Sequence, residues 1–426
     1  MSSSWQSMKF RECAELVRDT CRPNTIQGIP YIGLEHIEEG TLRLLAVGNS
    51  DDVISIKSCF EPEDILFGKL RPYFRKVVKP HFPGVCSTDI WVVRAKHGID
   101  QGYLFYWMAS QEFVDLATQA SEGTKMPRAK WDFLERIKKF VPPLPEQRAI
   151  AHILGSLDDK IELNRRMNKT LEAMARAIFK SWFVDFDPVH AKAEGRDPGL
   201  PDEIAALFPD SFEDSELGEI PKEWRIAKLS ELCKTQYGYT ASAIKEPVGP
   251  RLLRVTDMNK QNWIEWNKVP YCEINNKDSA KYRLEVGDLV VARMADPGKS
   301  AIIEQPMEAV FASYLVRLKT ETLAHAYFVY GFLKSQAYAD YSEGAMGGSS
   351  VQKSMNAKVI VDVDLIIPPQ QVLNIFLQYI LPLRKRLVAN CEQSIALSGI
   401  RDALLPKLLS GEIQVKDAEK FLEMKL

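Results

Sequence analysis

Apolar residues recur at alternating steps of three and four along two stretches of this chain. The first series is Leu154, Leu157, Ile161, Asn164, Asn168, Leu171, Ala175, Ile178 and Trp182. The second is Ile380, Leu383, Leu387, Asn390, Ser394, Leu397, Arg401, Leu404 and Leu408, and a step of 226 residues carries the first onto the second. A heptad seam predicts a helix lying along another helix, and the repeat supplies the partner within the chain. The polar centre, Asn164 and Asn168 against Asn390 and Ser394, reads as register-setting pairs across an antiparallel seam; the alternative is a wet seam. Pro142-Pro143 and Pro368-Pro369 precede the two stretches, followed by Glu146-Gln147 and Gln370-Gln371. Gly155-Ser156 and Pro382 stand at matching places and read as breaks. They leave long helices from about Leu157 to Phe183 and from about Leu383 to Leu409, each roughly 40 Å long. Ser156, with Asp158 and Asp159 behind it, reads as the cap of the first, and Gly411 as the end of the second.

The segments before the helices repeat as well. Residues 1–143 carry Trp5, Phe10, a short strand and turn in YIGLEHIEEG, a buried strand at Ile65 to Phe67 and a basic run after it. STDIWVVRA alternates as a strand, and YLFYWMASQEFVDLA reads as one amphipathic helix from Tyr103. Residues 220–368 repeat this order, with Trp224, Leu229, the LRVTDM strand, Asp288 over Asp64, Arg293 over Lys69, and Ser335-Gln336 over Ser110-Gln111. The elements predict a mixed α/β fold of two similar domains, each with its own long helix: 1–143, 144–186, 220–368 and 369–411, then a tail at 412–426. Residues 187–219 are rich in proline, glycine and acid and read as an exposed tether with about one helical turn.

Composition changes this picture little. A length of 426 residues exceeds one core, and 46% hydrophobic with 26% charged residues is ordinary for a globular protein. No run approaches the ~20 apolar residues of a membrane span, so a cytoplasmic protein is expected, with no membrane partner. Cys13, Cys21, Cys59, Cys86, Cys233, Cys272 and Cys391 show no metal-ligand spacing, and neither do the six histidines; no metal site is expected. The formal net charge is −2, but residues 191–220 hold nine acids against Lys192 and Arg196, a balance of −7, which leaves +5 on the remainder. That remainder has room for a basic surface.

Taken together, PPLPEQRAIAHILGSLDDKIELN, AIFKSWFVDFDPV, YIGLEHIEEG, DILFGKLRPYF with STDIWVVRA, GTKMPR and RDALLPKLLSGEI resemble the specificity subunit of type I restriction-modification enzymes, over nearly the whole chain. The resemblance implies two target-recognition domains held apart by an antiparallel two-helix coiled coil with pseudo-twofold symmetry. Each domain would read one half of a split, asymmetric double-stranded DNA sequence. It also implies two modification subunits that methylate adenine with S-adenosylmethionine and, in the full complex, two restriction subunits using ATP and Mg. No cofactor is implied in this chain. The second copy is looser, with Val286-Gly287-Asp288-Leu289 and Ala295-Asp296-Pro297-Gly298-Lys299 where the first has DILFGKLRPYF.

The expected DNA contacts are Lys69, Arg71 and Arg75 on the loop leaving a buried strand, Lys125 and Arg128 in a glycine-containing loop, and Arg293, Lys299 and Lys353 in the second copy. The alternative for each is a solvated basic face. Trp91 and Trp131 read as core before stacking residues. Trp182, Phe183 and Phe186, with Leu408 and Leu409, dock a partner or pack under their own domain.

No catalytic set is legible. An adenine methyltransferase needs an Asn/Asp-Pro-Pro-aromatic loop for the flipped base, whereas here the Pro-Pro pairs follow Val141 and Ile367 and precede Leu144 and Gln370. Pro297-Gly298-Lys299-Ser300 has the tail of a phosphate-binding loop without its first glycine. A non-catalytic DNA reader and assembly platform is therefore expected. The rivals are a coiled-coil scaffold that binds proteins and a fused modification enzyme.

Overall fold

The computed structural model describes residues 5–22, 28–258, 263–346, 354–418 and 420. It divides into two units, Met1–Glu162 with Ala396–Leu426, and Leu163–Ile395. In unit 1, β1 (Ala14–Val17), β2 (Ile65–Gly68), β3 (Val77–Val78) and β4 (Ile90–Ala95) form an antiparallel sheet in the order β1-β4-β2-β3. In unit 2, β5 (Cys233–Tyr237), β6 (Leu289–Ala292), β7 (Ser300–Ile302) and β8 (Leu315–Thr320) take the same order, β5-β8-β6-β7. The paired registers also correspond: Trp91 lies opposite Phe67, and Val316 opposite Val291. A parallel pair accompanies each sheet, Tyr31 with Val85 and Leu252 with Val310.

Two expectations about these elements need correction. The strand in STDIWVVRA does not alternate between core and solvent, because β4 is central and covered on both sides. Ile90 and Val92 join Ile32 and Phe60, while Trp91 and Val93 join Phe67 and Phe113. A strand between two cores reads as a continuous apolar run. The single amphipathic helix from Tyr103 is two helices, α1 (Gln101–Ala109) and α2 (Gln111–Gln119). Ser110 between them is extended, and its Oγ accepts from the Phe113 amide at 3.3 Å, so a serine cap restarts the helix.

The long helix α3 (Leu144–Phe183) follows, and unit 2 repeats the succession with α4 (Leu323–Leu333), α5 (Gln336–Ala345) and α6 (Gln370–Ser410). Neither long helix is broken at the expected place. Gly155 lies inside α3, where a glycine costs about 1 kcal/mol and Leu154, Leu157 and Ile161, all buried, offset it. Ser156 does not cap; its Oγ donates to the Ile153 carbonyl at 2.9 Å. Pro382 lies on the exposed face of α6, where the carbonyl it leaves unpaired can meet water, while Ile380, Arg384 and Leu387 around it are buried. Gly411 does end α6, with φ +71° and the Glu412 amide donating to the Lys407 carbonyl at 2.9 Å.

Within unit 2 the two helices run antiparallel, since residue numbers fall on α6 as they rise on α3. Asn164 Nδ2 donates to Ser394 Oγ at 3.2 Å and to Gln393 Oε1 at 3.0 Å. Asn390 Nδ2 donates to Asn168 Oδ1 at 2.9 Å, and Asn168 Nδ2 to the Leu387 carbonyl at 3.3 Å. These bonds join the two helices directly, side chain to side chain or to backbone, within a buried seam. Leu157, Ile161, Leu387, Leu397 and Leu404 are buried; Leu171, Ile178, Leu383 and Ser394 are half-buried.

The acidic stretch is more ordered than a tether. It holds helices at Asp187–Ala193 and Asp202–Ala205 and a hairpin pairing Phe212–Ser215 with Gly218–Pro221. Val189 and Phe208 are buried with Trp182 and Trp224, and the Trp182 and Phe208 rings meet edge-on at 5.2 Å. A few apolar anchors dock the segment while its acids stay outside, which composition alone conceals. Trp182, Phe183 and Phe186 pack in this same core, and Leu408 and Leu409 pack in that of unit 1.

Beside the unit 2 seam, Lys334 donates from Nζ to the Ser300 carbonyl at 2.6 Å, and burial lowers its pKa from 10.5 to about 8. The unfolded chain therefore binds this proton up to higher pH, and the contribution to stability grows as pH rises from about 8 to about 10.5. The gap converts to at most ~3 kcal/mol. Wild type and Lys334→Met, compared in urea across that range, are expected to diverge, with wild type gaining relative to the variant. Parallel curves would place the Lys334 proton on the folded protein throughout.

Candidate nucleic-acid interface

The same frame is built from backbone bonds at the C-terminal end of β2 and of β6. In unit 1 the buried Asp64 carboxylate accepts from the Glu61 amide at 2.7 Å and takes Arg94 bidentately at 2.6 and 2.8 Å, fixing the turn that starts β2. β2 ends at Gly68, and Lys69 follows. The Lys69 amide donates to the Asp89 carbonyl at 2.9 Å, and its carbonyl accepts from the Ala129 amide at 2.9 Å. One residue thus ties the loop before β4 to the short hairpin of Ser121–Glu122 and Arg128–Ala129. Unit 2 repeats the frame. Asp288 accepts from the Glu285 amide at 2.9 Å, the Arg293 amide donates to the Tyr314 carbonyl at 2.9 Å, and the Arg293 carbonyl accepts from Met355 at 2.8 Å.

The expected cations distribute unequally over this frame. Lys69, half-buried, lines a cleft of about 380 Å³ with Trp91, Glu122, Arg128, Ala129, Lys130, Trp131 and Asp132. Arg128 is exposed and holds Asp89 bidentately, Nε to Oδ1 at 2.8 Å and Nη2 to Oδ2 at 3.1 Å, which raises its pKa. Lys125 is exposed; its carbonyl accepts from Arg71 Nη2 at 3.2 Å. Arg71 also donates its amide to the Pro127 carbonyl at 2.7 Å, so it braces the loop.

Arg75 turns the other way. Its Nε donates to the Ala109 carbonyl at 2.7 Å, its Nη2 lies 3.7 Å from Asp402, and burial lowers its pKa. Both Arg71 and Arg75 have positive φ, 51° and 48°, flanking the turn Pro72–Phe74. That turn aims the two guanidinium groups in different directions.

In unit 2, Arg293 lies over the Tyr237 ring at 5.0 Å, and its buried Nε has no hydrogen-bond partner among the described residues. Lys299 Nζ lies 3.1 Å from Asp296. Lys353 falls outside the described residues. Tyr237 and Tyr314 are exposed beside Arg293 and, like Asp89, are absent from the expected contacts. Spacing carries no signal for them, because only the folded frame brings residues 39 positions apart, Asp89 and Arg128, into contact. Trp91 is core, stacked on Phe67 at 5.8 Å and edge-on to Trp131 at 5.3 Å.

Among the described residues, no cluster of His, Cys, Asp or Glu is arranged to hold a metal ion, and no helix is long and apolar enough to cross a membrane.

Residues 27–173 match the type I restriction modification DNA specificity domain. The chain is 26% identical to the type I restriction enzyme HindI specificity subunit of Haemophilus influenzae, over 96% of this chain and all of that protein. It is 26% identical to the MjaIX specificity subunit of Methanocaldococcus jannaschii, over 76% of this chain and 71% of that one. Its fold is similar to the crystal structure of the type I restriction-modification system S subunit from M. genitalium, with TM-score 0.54 and 15% identity over 95% of this chain and 96% of that chain.

Proposed function

We propose, for a chain that belongs to the specificity subunits of type I restriction-modification enzymes, that its two units read the two halves of one split, asymmetric DNA target. The family recognises DNA sequence and is non-catalytic; catalysis lies in partner subunits. The observation that carries the finer reading is the repeated frame. One sheet order and one set of backbone bonds present a cation, Lys69 or Arg293, while the side chains around it differ between copies. A common scaffold with unlike faces suits two unlike half-sites.

In this reading Lys69, Lys125 and Arg128 meet DNA from unit 1, and Arg293, Lys299 and Lys353 from unit 2. Phosphate contacts supply affinity and base contacts specificity. Arg71 and Arg75 are positioning residues that shape the loop. The α3–α6 pair is the spacer between half-sites and the platform for two modification subunits, which carry S-adenosylmethionine, and two restriction subunits, which use ATP and Mg.

Lys69→Ala in the assembled methyltransferase complex is expected to weaken binding of target duplex and to lower the salt slope, d log K/d log[salt], by about 0.9. The melting temperature should stay unchanged. A variant that melts early and binds with the wild-type salt slope would make Lys69 structural. A complex whose affinity for duplex DNA ignores sequence would favour the scaffold reading.

A further inference from the structure

Building on the proposed two-half-site reading, we propose that Arg128, aimed by Asp89, reads a guanine in the half-site taken by unit 1. The comparison inside the chain is what carries this. The bridge between Leu70 and Arg128 in unit 1 has its counterpart between Met294 and Ser354 in unit 2. The carbonyl that accepts from Lys69 belongs to Asp89, and the one that accepts from Arg293 belongs to Tyr314. On one backbone frame, therefore, unit 1 carries the pair Asp89 and Arg128 where unit 2 carries Tyr314 and Ser354. Both members of the ion pair are replaced together, and the frame forms without them. The pair is not what holds the fold; it is a removable device on a fixed mount.

Its geometry suits base reading. Asp89 occupies the side of the guanidinium, taking Nε at 2.8 Å and Nη2 at 3.1 Å. Arginine has five donors in a fixed plane, so the end that carries Nη1 and the second Nη2 hydrogen remains as two parallel donors. Guanine presents two adjacent acceptors, O6 and N7, in the major groove. Adenine sets a donor beside its N7, and thymine and cytosine offer no such pair of acceptors. Asp89 also fixes the plane of the fork before DNA arrives, so less rotamer freedom is lost on contact. Lys69 lines the same cleft and in this reading takes a neighbouring phosphate.

A phosphate would also accept the free end of the fork, and the test separates the two. The methylated motif is mapped for the complete modification complex carrying wild type, Arg128→Ala, Arg128→Lys or Asp89→Asn. The wild-type motif is expected to contain an invariant guanine that Arg128→Ala relaxes alone, with preference there falling about ten-fold or more and the other half-site unchanged. Arg128→Lys keeps the charge and loses the fork, and should relax the same position. Asp89→Asn should relax it less. Uniform loss of methylation over all sites, with no position relaxed, would assign Arg128 to a phosphate and overturn the proposal, as would relaxation at an A·T position. A wild-type complex that methylates no split motif would remove the two-half-site reading itself, and this assignment with it.

Discussion

Arg384→Met is expected to destabilise unit 2 by about 3–5 kcal/mol. The Arg384 side chain, 2% exposed, lies between two acids. It takes Glu304 bidentately, Nε to Oε1 and Nη2 to Oε2, both at 2.6 Å, and bonds Glu172 through Nη1. Its guanidinium lies over the Tyr330 ring at 5.4 Å, and Tyr327 donates to Glu304 Oε1 at 3.0 Å. Methionine matches the stem and leaves two nearly buried carboxylates facing each other without a cation. Breaking such a group costs far more than the group contributes over an apolar substitute, because an uncompensated buried charge remains. Hence Arg384→Met/Glu172→Gln/Glu304→Gln should recover most of the loss. Urea unfolding followed by tryptophan fluorescence checks both. A single variant that unfolds at the wild-type midpoint would mean that water already reaches these acids.

Unit 1 answers with a related device. Asp158 Oδ1 accepts from Arg401 at 2.5 Å, and its Oδ2 from the Tyr106 hydroxyl at 2.7 Å. In both units the acid is on α3 and the arginine on α6. By the 226-residue step, however, Asp158 corresponds to Arg384. The repeat therefore inverts the charge at one position next to the seam, and each of these two residues pairs with an opposite charge on the other long helix.

Why some of this was legible in the sequence and some was not follows from range. The seam was legible because a heptad is a local pattern, and Asn164 over Asn390 marked its centre. The repeated frame was legible in part, since Asp64 and Lys69 recur as Asp288 and Arg293 at a fixed offset. Glu304 was invisible, because it joins Arg384 from a loop 80 residues away. Asp89 was hidden in the same way from Arg128. The expected breaks at Gly155 and Pro382 failed for the opposite reason: local propensity was read correctly, but packing around Leu157 and Leu387 outweighs a cost of one to a few kcal/mol.

Inserting heptads into both long helices is expected to change the gap in the methylated motif. The unit boundary falls inside α3 after Glu162 and inside α6 after Ile395, so insertions there leave the hydrogen-bonded pairs of each unit intact. One heptad in each helix adds about 10.5 Å, or about three base pairs at 3.4 Å each. Because B-DNA turns once in about 10.5 base pairs, three base pairs swing the groove by roughly 100° and set one unit against the wrong face of the duplex. Seven residues turn the protein helix nearly twice, a drift of only ~20°, so the protein does not follow that swing. One heptad should therefore reduce methylation steeply. Three heptads add about 31.5 Å, close to the 34–36 Å of a full duplex turn. They should restore methylation at sites whose half-sites are about nine or ten base pairs further apart. The readout is methylated-adenine mapping on a library with every gap length. Recovery at the original gap would show that the helices do not set the spacing, whereas recovery at the longer gap would identify them as the spacer.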